Sequence, residues 1–282
     1  MWRCSSSIAT VRFLAAPGTD MSRRLRILIL GGTADAVALA AEAEARFADR
    51  LTVITSLAGR TSNPIRPAGE VRHGGFGGSE GLAAYLRAAA IDAVVDATHP
   101  FACQISAHAM QACDAKGIPR LVLLRPPWTE RPGDRWHSVA DGAAAARLVP
   151  QLGRRAFLTV GARDLGAFAP VRGVWFLVRL VETPLAPLPL GEHELLVARG
   201  PFDCESEVAL LTRHQIDLVV SKASGGRSTE GKIEAARQLG LPVIMVRRPD
   251  PVPGMAVESV QSALSWIEEC LAALDLPPAA AT

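Results

Sequence analysis

The patterned part of the chain begins with Leu25-Arg26-Ile27-Leu28-Ile29-Leu30, an apolar run that stops at Gly31-Gly32-Thr33. Such an unbroken run, as opposed to strict alternation, predicts a parallel strand covered on both faces. An Ala-rich helical stretch from Ala34 to Phe47 follows, then strands at Leu51–Ser56 and Val71–Gly75. Ser79 is placed to cap a helix reaching Ala90, and Ala93–Ala97 reads as a fourth strand. Pro100 suits the first turn of a helix over 100–115, which Gly117-Ile118-Pro119 stops before a fifth strand at Leu121–Leu124. Strand and helix alternate, which implies right-handed βαβ crossovers.

Asp141–Leu152 reads as a linking helix, after which the pattern restarts. Strands are expected at Ala156–Val160, Val174–Leu180, Leu195–Ala198, Leu218–Ser221 and Val243–Val246, with helices at Cys204–His214 and over 229–239. Glu182–Gly191 holds three prolines and is a loop; Ser259–Leu274 is a final amphipathic helix, and Leu276–Thr282 a frayed tail. The architecture predicted is α/β, with two Rossmann-like doubly wound domains, mostly parallel sheets and a cleft between them. The expected division is a disordered extension over 1–20, a dinucleotide-binding domain over 21–148, a second α/β domain over 149–252, and a C-terminal helix and tail over 253–282.

Composition narrows the function classes. The 282 residues suffice for two domains, and 49% hydrophobic with 21% charged residues is an ordinary globular composition. A net charge of +2 gives no reason to expect nucleic-acid binding. Five cysteines without a C-x-x-C pair argue against a disulfide framework or structural zinc and fit a reducing cytoplasm. No apolar run reaches the roughly 18 residues of a membrane span. Ile8–Ala16 is broken by Arg12, so 1–20 reads as an extension upstream of Met21, with a transit-like segment as the weaker alternative. Only three of the 30 basic residues are Lys. The excess of Arg suits bidentate recognition of carboxylate or phosphate, although the codon preference of a GC-rich genome gives the same bias.

Gly31, Gly32 and Thr33 sit between a strand and a helix, where glycines admit a pyrophosphate and the helix N-terminus attracts it. The full G-x-G-x-x-G fingerprint is absent, and a bare tight turn reads the same way. The second strand leads into Thr55-Ser56-Leu57-Ala58-Gly59-Arg60 with no acid between Ile54 and Arg66. Ser56 and Arg60 therefore suit the 2′-phosphate of NADP, an exposed loop arginine being the plainer reading. Gly75, ending the third strand, joins the cofactor residues. Thr98 and His99 place a hydroxyl and an imidazole at the carboxyl edge of the sheet, as ligand and proton-bearing groups or as a mere helix cap. In the second half, Lys222, Ser224, Gly225 and Gly226 form a polar Gly-rich turn suited to an anion, with Arg163 and Arg199 at similar strand ends. His73, His108, His137, His193 and His214 lack metal-ligand spacing, Tyr85 reads as packing, and no Ser-His-Asp set, paired carboxylate or P-loop is present.

In this order the motifs resemble the precorrin-6A reductase family. The matching stretches are Leu30-Gly31-Gly32-Thr33, Ser56-Leu57-Ala58-Gly59-Arg60, Asp96-Ala97-Thr98-His99-Pro100-Phe101-Ala102, Arg199-Gly200-Pro201-Phe202 and Ser221-Lys222-Ala223-Ser224-Gly225-Gly226. Lys232-Ile233-Glu234-Ala235-Ala236 and Val246-Arg247-Arg248-Pro249 match as well. The resemblance implies NADPH-dependent reduction of a ring double bond in precorrin-6A, giving precorrin-6B, in cobalamin biosynthesis. It implies a macrocycle rich in carboxylates lying between the domains, with Arg163, Arg199, Lys222, Ser224, Gly225 and Gly226 as substrate residues. His99 is the candidate catalytic residue, no metal is expected, and other enzymes of the pathway are conceivable partners. Rival readings are the cobalt-bearing version of the reaction, a non-catalytic nucleotide sensor on the same fold, and a two-domain sugar-nucleotide enzyme.

Overall fold

A computed structural model describes residues 23–59 and 66–275. The first half contains β1 (Leu25–Leu30), α1 (Ala34–Phe47), β2 (Leu51–Leu57), β3 (Glu70–His73), α2 (Ser79–Ala88), β4 (Ala93–Asp96), α3 (Cys103–Asp114) and β5 (Arg120–Leu123). Then come β6 (Arg135–Val139), α4 (Gly142–Leu152), β7 (Arg155–Leu158), β8 (Trp175–Leu180) and β9 (His193–Val197). The rest is α5 (Cys204–Arg213), β10 (Leu218–Lys222), α6 (Gly231–Leu239), β11 (Pro242–Val246), β12 (Met255–Val257) and α7 (Val260–Leu274). Short 3-10 segments at Ala162–Phe168 and Arg227–Thr229 follow β7 and β10. No described helix is long and apolar enough to cross a membrane.

The strands form two six-stranded sheets, ordered β12-β5-β4-β1-β2-β3 and β6-β11-β10-β7-β8-β9, with every pairing parallel. The continuous apolar run of β1 is explained by cover on both faces. Leu25, Ile27 and Ile29 pack with Leu39 of α1 and with Leu264 and Ile267 of α7. Leu28 and Leu30 face the other way, onto Leu82 and Leu86 of α2 and Ala109 of α3.

The division of the chain corrects the expected boundaries. One unit comprises the described residues up to Leu124 together with those from Pro251 onward, and Arg125–Asp250 form the other. The expected boundary at 148 fails because β6 pairs with β11, in the second sheet. The segment Asp141–Leu152 is accordingly no linker: Asp141 caps α4, which buries Ala145, Ala146 and Val149 in the second unit. At the other end β12 pairs with β5, returning the last strand and α7 to the first sheet. Pro100 also departs from expectation. It lies in a turn closed by Ala102 N donating to His99 O (2.7 Å), and α3 starts only at Cys103. That turn leaves Ala102 with φ −92° and ψ 44°, outside helical geometry, so the helix starts after it. Ser79 is the first residue of α2, with Gly78 (φ 98°) at the cap position. The extension over 1–20 lies outside the described residues.

The second unit buries charge. Arg179 of β8 donates from Nη1 and Nη2 to the two carboxylate oxygens of Glu207 at 2.5 and 2.7 Å, and its guanidinium lies 3.7 Å from the Phe202 ring centroid. Lys232 of α6 is 4% exposed, donates from Nζ to Thr229 O (2.6 Å) and sits 4.8 Å from the Trp128 ring centroid. Burial first, and then the positive charge of Arg179, push its ammonium down to about 7.

Two stability outcomes follow from these groups. Glu207→Ala strands a buried guanidinium and is expected to cost about 3–5 kcal/mol in urea unfolding; a loss below about 1 kcal/mol would show that Arg179 finds water or another acceptor. For Lys232 the folded pKa is below the unfolded 10.5, so its burial penalty is complete below about pH 7 and fades as pH rises toward 10.5. Lys232→Met is therefore expected to gain most over the parent at low pH, with the difference shrinking by a few kcal/mol across that window, because each tenfold change in proton affinity is worth about 1.4 kcal/mol. Unfolding curves at several pH values check this, and a constant difference contradicts it.

Candidate functional site

In the first sheet β1 lies between β2 and β4. The chain winds outward from β1 in one direction through β2 and β3 and in the other through β4 and β5. Ligands of doubly wound sheets bind at the carboxyl ends of the strands flanking such a switch point. Gly31, Gly32, Thr33, Thr98 and His99 come together there.

Each member has a physical reason to be what it is. A Cβ at Gly31 would meet Thr55 Cγ2 at 2.9 Å, so β2 leaves no room for a side chain. Gly32 has φ +104° and would meet nothing within 4 Å, so its glycine is required by backbone conformation, with open space above it. Thr33 caps α1, accepting from Ala36 N (3.1 Å), and donates to Ala97 O (2.7 Å). With Ala97 N donating to Leu30 O (3.0 Å), this fixes the turn to the end of β4. The hydroxyl of Thr33 is thus spent on positioning, and its contribution to an anion is the helix start.

Beyond β4, the Thr98 hydroxyl donates to Asp96 Oδ1 (2.7 Å), which also accepts from Thr98 N (3.2 Å). Asp96 is 2% exposed, and its Oδ2 has no hydrogen-bond partner among the described residues. His99 Nδ1 accepts from Phe101 N at 3.3 Å. That bond assigns the neutral ring's proton to Nε2.

On the other side of β1, Ser56 is buried, and its Oγ accepts from Arg72 Nη1 (3.1 Å). Arg72 also donates to Gly74 O and Gly75 O, both at 2.7 Å, and lies 3.8 Å from the Phe76 ring centroid. Gly75 thereby enters the site as a carbonyl that holds Arg72. Tyr85 packs against the core and, 5.0 Å from the same guanidinium, extends the aromatic surface beneath it. The sequence points instead to Arg60, which lies outside the described residues. The signal for Arg72 is an arginine two residues ahead of the Gly74-Gly75 pair, at the end of the third strand.

The second unit repeats the arrangement, with β7 between β8 and β10. Lys222, closing β10, is ion-paired with Asp164 of the 3-10 segment after β7. Arg163, beside Asp164, is exposed. Ser224 is buried in the turn that follows, and its carbonyl accepts from Arg125 Nε (2.9 Å) and Arg248 Nη2 (2.8 Å). Gly225 and Gly226 have φ +63° and +82°; a Cβ would meet Pro126 O at 2.0 Å and Arg125 Cδ at 2.7 Å. Arg125 and Arg248 are site residues the sequence reading did not single out. Arg248 further donates to Ala223 O, Arg125 O and Pro126 O, and burial with the neighbouring Arg125 charge lowers its pKa to about 10. Exposed Arg199 leaves edge strand β9, away from Lys222 in strand order, but its loop returns, with Phe202 N donating to Ser228 O (3.1 Å). Among the described residues no group of His, Cys, Asp and Glu could hold a metal ion.

Known proteins are similar to this chain in sequence and fold. The family model described as precorrin-6x reductase CbiJ/CobK matches residues 26–268. A precorrin-6A reductase of Rhodococcus erythropolis is 49% identical over 245 residues, 86% of this chain and 97% of that protein. A cobalt-precorrin-6A reductase of Salmonella typhimurium is 29% identical over 241 residues, 80% of this chain and 88% of its own. The solved structure titled CobK precorrin-6A reductase superposes with a TM-score of 0.82 at 40% identity, covering 87% of this chain and 97% of that one. With the matched model spanning both sheets, the chain belongs to the precorrin-6x reductase family.

Proposed function

We propose that the chain reduces precorrin-6A to precorrin-6B in cobalamin biosynthesis, with NADPH as hydride donor. The observation that carries the reading is the Gly31-Gly32-Thr33 turn, tied to Ala97 at the end of β4, from which the chain runs to His99 at the switch point, in a chain 49% identical to a protein named precorrin-6A reductase. The lower identity, 29%, to a cobalt-precorrin-6A reductase favours the metal-free ring. Bound there, NADPH supplies two electrons and one hydrogen as hydride, and the ring takes up one proton to complete the reduction.

The open backbone at Gly32 and the start of α1 suit the pyrophosphate. Thr98 and Asp96 hold the loop that presents His99. His99 orients a ligand from Nε2 and is not an indispensable acid, because an iminium-like ring accepts hydride if it is already protonated. In the second unit Lys222, Ser224, Gly225, Gly226, Arg163 and Arg199 meet the substrate carboxylates. Arg125 and Arg248 keep the turn in shape through its carbonyls.

His99→Ala is expected to weaken binding and slow turnover while leaving measurable activity. A loss in kcat beyond about 10⁴-fold with unchanged binding would instead make His99 a true acid catalyst.

Lys222→Met keeps length and removes charge. Substrate affinity is expected to fall by about 10-fold or more, the loss of one charge-assisted contact, while the dissociation constant of NADPH alone stays put. If NADPH binding falls instead, Lys222 serves the cofactor and the division of roles between the two units is wrong.

A further inference from the structure

Ser56 and Arg72 are direct partners in the pairing of β2 with β3. Their side chains therefore share one face of the sheet, at the strand end where dinucleotide folds place the adenosine ribose. β2 closes with Thr55-Ser56-Leu57, with no acidic side chain of its own at that end. Arg72 forms no ion pair with any described residue. Its three hydrogen-bond acceptors, Ser56 Oγ, Gly74 O and Gly75 O, are all neutral.

These contacts orient the guanidinium without neutralising it. Two carbonyls and a hydroxyl set the plane of the fork, while Phe76 and Tyr85 form an aromatic floor at 3.8 and 5.0 Å. Phe76 and Tyr85 are themselves in ring contact, with centroids 5.3 Å apart. An arginine held in one orientation has little side-chain entropy left to lose on binding, and its charge-assisted donors match a phosphate.

We propose that Arg72, with Ser56 beside it, receives the phosphate on the 2′ position of the adenosine ribose and so selects NADPH over NADH. The inference rests on the nicotinamide-cofactor reading above and assigns the discrimination to a residue of β3.

The test is calorimetric titration of the full-length protein with adenosine 2′,5′-bisphosphate and with 5′-AMP, each free of the nicotinamide half. The wild type is expected to prefer the bisphosphate. Arg72→Gln keeps polar donors without charge and is expected to lose about 10- to 150-fold in affinity for the bisphosphate, with 5′-AMP unchanged. Arg72→Lys, which keeps the charge without the fork, is expected to fall between the two, and it decides the matter if the Gln variant does not fold. Equal losses for both probes in either variant would mean that Arg72 only shapes the Gly74-Gly75 turn, which overturns the proposal. Undiminished preference for the bisphosphate in Arg72→Gln overturns it too, while leaving the NADPH reading intact. If the wild type itself binds both probes alike, the NADPH reading falls, and this inference with it.

Discussion

Beside five strands wound in the same order, each sheet carries an edge strand that stands outside that winding, β12 in the first and β6 in the second. β6 follows β5 directly, yet it pairs with β11 in the second sheet, and β12, which follows β11, goes back to β5 in the first. The two sheets are otherwise built alike: β1 to β5 and β7 to β11 take corresponding places in the strand orders. The difference concerns the sixth strand, which opens the second unit and closes the first. It obliges the chain to cross between units twice, at 124–125 and at 250–251. It also makes the first unit depend on the C-terminal segment, because α7 supplies buried Leu264, Trp266, Ile267 and Leu271 to the core beneath β1. The second sheet is contained in the contiguous stretch Arg125–Asp250, whereas the first needs strands from both sides of it.

The switch points follow from the same winding. A central strand flanked by neighbours wound in opposite directions leaves its carboxyl end uncovered by a crossover. In the first unit this end is held by neutral hydrogen bonds, Ala97 N to Leu30 O and the Thr33 hydroxyl to Ala97 O. In the second it is held by charge, through Lys222 with Asp164 and through Arg125 and Arg248 on the carbonyls of the 223–226 turn. The contrast suits different ligands: backbone amides and an open glycine favour a pyrophosphate, and a surplus of cations favours carboxylates.

Most of the fold was legible in the sequence because parallel strands buried on both faces read as unbroken apolar runs, as in Leu25–Leu30 and Leu218–Val220. The two strands that were missed lack that signature. β6 reads Arg-Trp-His-Ser-Val with no fully buried residue, and β12 has three residues, Met-Ala-Val, also without one. Edge strands are half-covered and short, so their apolar pattern is diluted, and with them went the domain boundary. Pro100 misled for another reason. A proline early in a helix and a proline in the turn before one look alike until the hydrogen bond from Ala102 N to His99 O is known.

Of the candidate site, the sequence alone placed the glycines and Lys222 at strand ends, because Gly-rich turns after apolar runs mark those positions. The site's arginines were not legible, because 27 of them are spread along the chain and sequence alone cannot rank them. Arg179, Arg248 and Arg72 differ in what they touch. Arg179 is neutralised by Glu207 and buried, which makes it part of the core. Arg248 spends its donors on four backbone carbonyls of two turns, which makes it scaffold, and its lowered pKa reflects that confinement beside Arg125. Arg72 has neutral acceptors, an aromatic floor and partial exposure. The lack of a counter-ion among the described residues is shared by Arg248, so it is the aromatic floor, the hydroxyl of Ser56 and the partial exposure together that set Arg72 apart as the candidate for an anionic partner.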